Sequence, residues 1–178
     1  MKHSRKAALM IFSLMTALSA FAASNQATGT TTIRASKAES MTISASSLST
    51  FDLSSLSPQT LTITSGWNLT PQRAAVNVCV YMDPTNGVMH GSDPANTDVI
   101  SESYVQAKVG AGAFANINAS ANCGVAAATL VKTWTLANQA DRKNASHSDS
   151  VSIQLNNVPS TIQADTYTGA LTVIAYTQ

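Results

Sequence analysis

Beyond its first 22 residues, this 178-residue chain keeps two cysteines, two histidines and a scatter of aspartates as its chemically capable side chains. Cys79 and Cys123 form no CxxC and have no His/Cys cluster beside them, so a metal or redox role lacks its usual spacing. In an oxidising compartment such a pair is predicted to close one disulfide. The loop would hold about 45 residues and contribute about 4 kcal/mol on the chain-entropy model. His90 lies in "VMHGSDP" and His147 in "NASHSDS", both polar and turn-like. On a strand His147 and Asp149 would share a face through their i, i+2 spacing. No nucleophile elbow, Gly-rich phosphate loop or HExxH accompanies them, so the reading is of a protein that is not an enzyme.

Asp83, Asp93, Asp98 and Glu102 cluster around two loops, where calcium would want several oxygen ligands. Their spacing matches no EF-hand, and Asp before Pro in "DPTNG" and "SDPAN" is explained by turn chemistry. The sequence therefore implies no metal and no cofactor. Trp67, Tyr81, Tyr104 and Trp134 are the aromatics that would stack on a sugar ring. In β-sandwiches such residues more often fill the core.

The elements that must position these residues follow from the address and the periodicity. "MKHSRK" carries Lys2, Arg5 and Lys6, a mostly apolar run spans Ala7 to Leu18, and Ala20-Phe21-Ala22 follows with small residues at the cleavage positions. This reads as a secretory signal peptide over 1–22, too short in its apolar part to cross a bilayer. The rest is expected to be periplasmic, cell-surface or extracellular, without membrane insertion. It carries seven Lys+Arg against nine Asp+Glu, a net charge of −2, and no basic cluster. That balance argues against nucleic acid as a partner.

Period-two alternation recurs along the remainder. "TGTTTIRA" alternates from Thr28 to Ala35. "SMTISAS" puts Met41, Ile43 and Ala45 on one face. "TLTITSGWNL" turns Leu61 and Ile63 inward, and "AVNVCVYM" offers Val76, Val78 and Val80. "DVISESYVQAKV" reads as one long strand or a bent pair, and "AFANINAS" as a weak strand. "TLVKTWTL" separates Val131, Thr133 and Thr135 from Leu130, Lys132, Trp134 and Leu136. "SVSIQL" turns Val151, Ile153 and Leu155 inward, and "TYTGALTVIAY" closes the series. Turn signals stand between them at "LSPQ", "DPTNG", "GSDPAN" and "NNVPS". The best helix candidate, "GVAAATLVK", is weakened by Gly124 and its β-branched residues. The expected fold is all-β, an immunoglobulin-like antiparallel sandwich of about eight to nine strands. The expected division is a leader at 1–22, an N-terminal strand or extension at 23–35, and the sandwich at 36–178.

The last strand differs from the others. Leu171, Val173 and Ala175 point one way, while Thr172, Ile174 and Tyr176 point the other and are also largely buriable. Such a strand lies inside a sheet or is covered on both faces, and at a bare edge it invites aggregation. "VPSTIQADTYTGALTVIAYTQ" resembles the C-terminal signature of the spore coat protein U family, which includes archaic chaperone–usher pilins. The leader, the Thr-rich "ATGTTTIRAS" and the single-domain length are similar too. Asp165 stands where that family usually has Gly, and 28–65 lacks the family's early Cys.

The resemblance implies an incomplete immunoglobulin fold lacking one strand. Its groove would be bordered by Leu171, Val173, Ala175 and Tyr176. A periplasmic chaperone would fill it first, and then the N-terminal extension of the next copy, with Thr31, Ile33 and Ala35 facing the groove. The function so implied is a secreted structural or adhesive subunit that assembles by strand complementation. The competing reading is a secreted monomeric module that binds carbohydrate through exposed Trp67 and Trp134. Asn68, Asn118 and Asn144 also match the N-glycosylation sequon.

Overall fold

The structure is a computed structural model. It describes residues 31–55, 57–82, 88–117, 123 and 128–178, with the backbone alone at 144 and 145. Contacts divide the chain into two units, Met1–Lys37 and Ala38–Gln178. In the first, residues 31–37 are exposed coil, so the strand expected over Thr28–Ala35 is absent from its described part, 31–35. The Thr-rich alternation there buries too little apolar surface to hold an extended ribbon by itself.

The second unit is all-β. Its strands are β1 (Ser40–Ala45), β2 (Gln59–Asn68), β3 (Ala75–Tyr81), β4 (Met89–Gly91), β5 (Val99–Ile100) and β6 (Val105–Lys108). They continue with β7 (Ala115–Asn116), β8 (Thr129–Thr135), β9 (Lys143–Leu155), β10 (Tyr167–Thr168) and β11 (Thr172–Thr177). All pairings are antiparallel. Three sheets result, in the orders β1-β2-β9-β6-β7, β11-β3-β8 and β10-β4-β5. The first two face one another. Leu61 and Ile63 of β2, Val105 and Ala107 of β6, and Val151 and Ile153 of β9 meet Val78 and Val80 of β3 and Val131 of β8 in one buried cluster. Each such Val, Leu or Ile side chain contributes about 1.5–3 kcal/mol by leaving water, and Ala107 less, enough together to hold the layers.

The expected eight to nine strands become eleven among the described residues, because short pairings such as β5, β7 and β10 lie below the length at which alternation shows. The long "DVISESYVQAKV" segment is broken into β5 and β6 by a 3-10 turn at Glu102–Tyr104. "DPTNG" and most of the helix candidate "GVAAATLVK" lie outside the described residues.

The face assignment of β8 is corrected. Register slips between Val78 and Cys79, leaving Val131 without a partner of its own. A bulge of this kind shifts the parity of the strand. Val131 and Trp134, three apart, therefore both pack on the interior, while Thr133 is exposed and donates its hydroxyl to Asn77 Oδ1 at 2.8 Å. β9 is also longer than the expected "SVSIQL", reaching back to Lys143. Before it lies a helix, α1 (Gln139–Arg142). Asn138 caps the helix through the Asp141 N–H, and the Asp141 carboxylate accepts the Asn138 N–H in return.

Candidate functional site

Among the described residues β11 is the outermost strand of its sheet and pairs with β3 alone, from Thr172 opposite Tyr81 to Thr177 opposite Val76. Backbone bonds beyond the strand continue the pairing, with Gln178 N–H donating to Ala75 O at 3.0 Å. Leu171 and Val173 pack on the main core, and Ala175 on the cluster around Trp67 and Val76. Ile174 faces the other way, onto Cys79, Cys123 and Ala128. Both faces of the strand thus make apolar contacts, though every residue of it stays partly exposed and Tyr176 is 42% exposed. β1 is the outermost strand of the opposite sheet, and β1 and β11 approach one another across the layers. Half-buried Met41 and Ile43 on β1 face inward. One flank of the sandwich is therefore framed by two strand edges that no described strand pairs with.

A cavity of about 310 Å³ lies at one end of the sandwich. Phe51, Leu53, Met89, Leu155 and Leu171 form apolar walls, and Asp165 and Tyr167 form a polar one. Asp165 holds this region together. Its carboxylate accepts from Ser92 Oγ, from Asp93 N–H at 3.0 Å, from Asn96 Nδ2 at 2.9 Å and from Thr166 N–H at 2.7 Å. Asn96 Nδ2 also donates to Tyr167 Oη at 3.0 Å, and that hydroxyl donates to Gln163 O at 2.8 Å. The hydrogen bonds from Ser92, then Asn96, then the Asp93 backbone hold the Asp165 carboxyl well below the usual carboxylate range. Gly91 passes so close that a Cβ there would collide with Asp165 Oδ2 and Asn96 Nδ2. Asp165 is thus a carboxylate that ties the loop after β4 to the loop before β10.

Thr31, Ile33 and Ala35, expected as donor positions, are all exposed, Ile33 at 90%. The disulfide joins Cys79 and Cys123 with a Cα separation of 6.2 Å, and both residues are buried.

Of the aromatics expected to stack on a sugar, Trp67 is enclosed, while Trp134, Tyr81 and Tyr104 are half-buried. Trp67 is 3% exposed, and its Nε1–H donates to Asp141 O at 2.7 Å. A side chain so enclosed offers no face to a ring, which corrects the expectation of an exposed Trp67. Trp134 is half-buried, its Nε1–H on Asp149 Oδ2 at 3.0 Å, with Lys132 Nζ 5.3 Å from its ring centre. His147 stacks on both indoles, with ring centres 4.5 Å from Trp67 and 3.8 Å from Trp134. It belongs to β9 and not to a turn; the polar run around it hid a strand whose inward positions pack on tryptophan. Ser65 pairs directly with His147, and Asp149 follows two residues on. The three residue types of an acyl-transfer site thus share one face. Yet Ser65 Oγ is buried without a hydrogen-bond partner, so no relay connects them.

His90 is exposed on β4. Asp93 Oδ1 accepts the Ala95 N–H and Asp98 Oδ2 the Gln163 N–H, so both carboxylates are engaged within their loops, while Asp83 lies outside the described residues. Asn68 ends β2, Asn118 lies outside the described residues, and the Asn144 side chain is not described. Among the described residues no helix is long and apolar enough to cross a membrane.

Two further groups were not singled out by sequence reasoning. The α1 capping box had a local signal, an Asn followed three residues on by Asp. The ion pair of Glu39 with Arg73, 2.9 Å, had none. Glu39 also accepts from the Thr70 hydroxyl at 2.6 Å and from its N–H at 2.8 Å. Hydrogen bonds from Arg73 first, then Thr70, lower its pKa to about 2. Comparison with known proteins returned no match: no family model, no curated protein and no solved structure matches the chain.

Proposed function

We propose that this chain is an exported structural or adhesive subunit, pilin-like in that copies join by strand complementation. An extended segment would lie along the unpaired edge of β11, its main chain completing the ladder and alternate side chains entering the flank between β1 and β11. The observation that carries the reading is the state of β11: apolar inward residues, an outer face on which Ile174 packs, and one edge with which no described strand pairs. An edge of this kind is ordinarily blocked by charge, proline or a covering loop. β11 has none of the first two, since its sequence is TVIAYT.

The occupant this reading assigns is the segment 23–35 of a neighbouring copy. Support comes from Ile33, an apolar side chain at 90% exposure in a described stretch that forms no strand of its own. A periplasmic chaperone would hold the same edge before assembly. The end cavity would accept one side chain of the incoming segment.

The test is assembly. A chain shortened to begin at Ala38 should remain monomeric, and a synthetic peptide covering 23–35 should bind it and raise its Tm. Ile33→Asp in that peptide should abolish the shift. A full chain that stays monomeric at high concentration, with a shortened chain indifferent to the peptide, would sink the reading.

A further inference from the structure

The outer face of the large sheet carries a second, separate surface. Along β1 the outward positions are Ser40, Thr42 and Ser44; along β2 they are Thr60, Thr62, Thr64 and Gly66; along β9 they run from Ser146 to Ser152 at every second residue. Alternation fixes this, because Leu61, Ile63, Ser65 and Trp67 of β2 and Val151 and Ile153 of β9 are buried on the other side. The registers align these residues in ranks: Thr42, Gly66 and Ser146; Ser44, Thr64 and Ser148; then Thr62 beside Ser150 and Thr60 beside Ser152. Strand spacing of about 4.8 Å and a two-residue repeat of roughly 6.7 Å set the hydroxyls on a regular grid.

Three properties of the grid point to one kind of partner. It bears no charge at any of these positions, although the neighbouring β6 carries Lys108. The hydroxyls of Thr60, Thr62, Thr64, Ser148, Ser150 and Ser152 bond to no other described residue, so their donors and acceptors are turned outward. Where Gly66 interrupts its rank there is a hollow of about 340 Å³, lined by Ser40, Thr42, Ser44, Thr64 and Ser146 and also touching Ile43, Ser65 and Trp67, with the Thr42 hydroxyl donating to Gly66 O at 3.3 Å. An anionic polymer would want cations here, and an apolar partner would want a greasy patch. The surface offers neither.

We propose that this face is an adhesive surface for an uncharged, polyhydroxylated polymer, a neutral polysaccharide, with the Gly66 hollow seating one sugar unit. Each hydroxyl exchanges a water bond for a sugar bond and gains little alone. Repetition at fixed spacing, and again from copy to copy, makes the sum useful. The inference rests on the adhesive part of the reading above and not on its assembly part, since the face lies on the other sheet from β11.

The experiment measures retention of the full chain on insoluble cellulose, chitin and β-1,3-glucan, with alginate as the anionic control. Retention on at least one neutral polymer, unchanged by salt, is expected. Thr64→Lys and Ser148→Lys, both at exposed positions, should each lower it about tenfold or more with Tm unchanged. Thr135→Lys, exposed on the opposite sheet, should leave it intact. No retention on any neutral polymer, retention only on alginate and lost in salt, or lysine variants that bind like the parent would each overturn the proposal. Light scattering on the same samples scores assembly separately. A monomer that holds cellulose defeats the assembly reading alone, and a polymer that ignores all three neutral polymers defeats this one alone.

Discussion

The imidazole of His147 lies between the indoles of Trp67 and Trp134, 4.5 Å from one ring centre and 3.8 Å from the other, bridging two strands of one sheet and one of the other. The stack joins the layers where aliphatic packing thins and β9 turns polar. His147→Ala should cost about 1–2 kcal/mol, the worth of aromatic contacts beyond area together with lost burial. Urea titration followed by tryptophan fluorescence would show both a lower midpoint and a changed native spectrum. An unmoved midpoint would mean that the stack is incidental.

Trp67 provides a contrast. Its burial predicts that Trp67→Ala destabilises by about 3–5 kcal/mol, as removal of a buried aromatic does. Circular dichroism melting distinguishes this from a binding role, in which the fold would persist.

Gly91 and Asp165 should be energetically coupled. Gly91→Ala brings a Cβ against the carboxylate, and overpacking of that kind costs about 1–3 kcal/mol. With Asp165→Ala already present, part of that cost should vanish, since one of the two obstructing groups is gone and Asn96, no longer held by the carboxylate, can give way. A double-mutant cycle measured by denaturant unfolding checks it, and strict additivity would contradict the contact.

Acid should act late. The Glu39 pKa falls from an ordinary 4.5 to about 2 through Arg73 and Thr70, and Asp165 is lowered as well. A depressed folded-state pKa contributes stability that is complete above the unfolded value and lost as pH falls through the folded one. Stability owed to Glu39 should therefore hold from neutrality to about pH 4.5 and decline toward pH 2. In Glu39→Gln that part of the decline should be absent. Thermal melts across this range, parent against variant, give the comparison.

Reduction should weaken the fold by about 4 kcal/mol at most, from the loop the Cys79–Cys123 bond closes. Cys79→Ser with Cys123→Ser, melted beside the oxidised parent, measures it. A Tm unmoved by the change would show that burial of the pair, and not the bond, secures the cover over Ile174.

Much of the architecture was legible because burial imposes period two. β1 and β2 follow the alternation of Met41 and Ile43 and of Leu61 and Ile63, while β3 turns Val76, Val78 and Val80 to the core but is buried on its other face as well, at Asn77 and Cys79. β8 misled because a bulge at Val131 breaks parity, and a bulge leaves no local mark in "TLVKTWTL". The first half of β9 misled because its inward positions are His147 and Asp149, polar residues made suitable for the interior by tryptophans far away in sequence. The two-faced nature of β11 was readable from its own six residues. The carboxylate hub was not, since Asp165 meets Ser92 and Asn96 across 73 and 69 positions.

Ile174 rests on the cluster that Cys79 and Cys123 form, while Gln178 is tied to Ala75 and the loop before β10 is moored by Asp165. On the assembly reading, a segment docking along that edge would meet a strand already tied into the domain and would give up mainly its own freedom. Tightness of such docking would be governed by the looseness of the guest, and shortening or stiffening the guest is the lever by which it would be tuned.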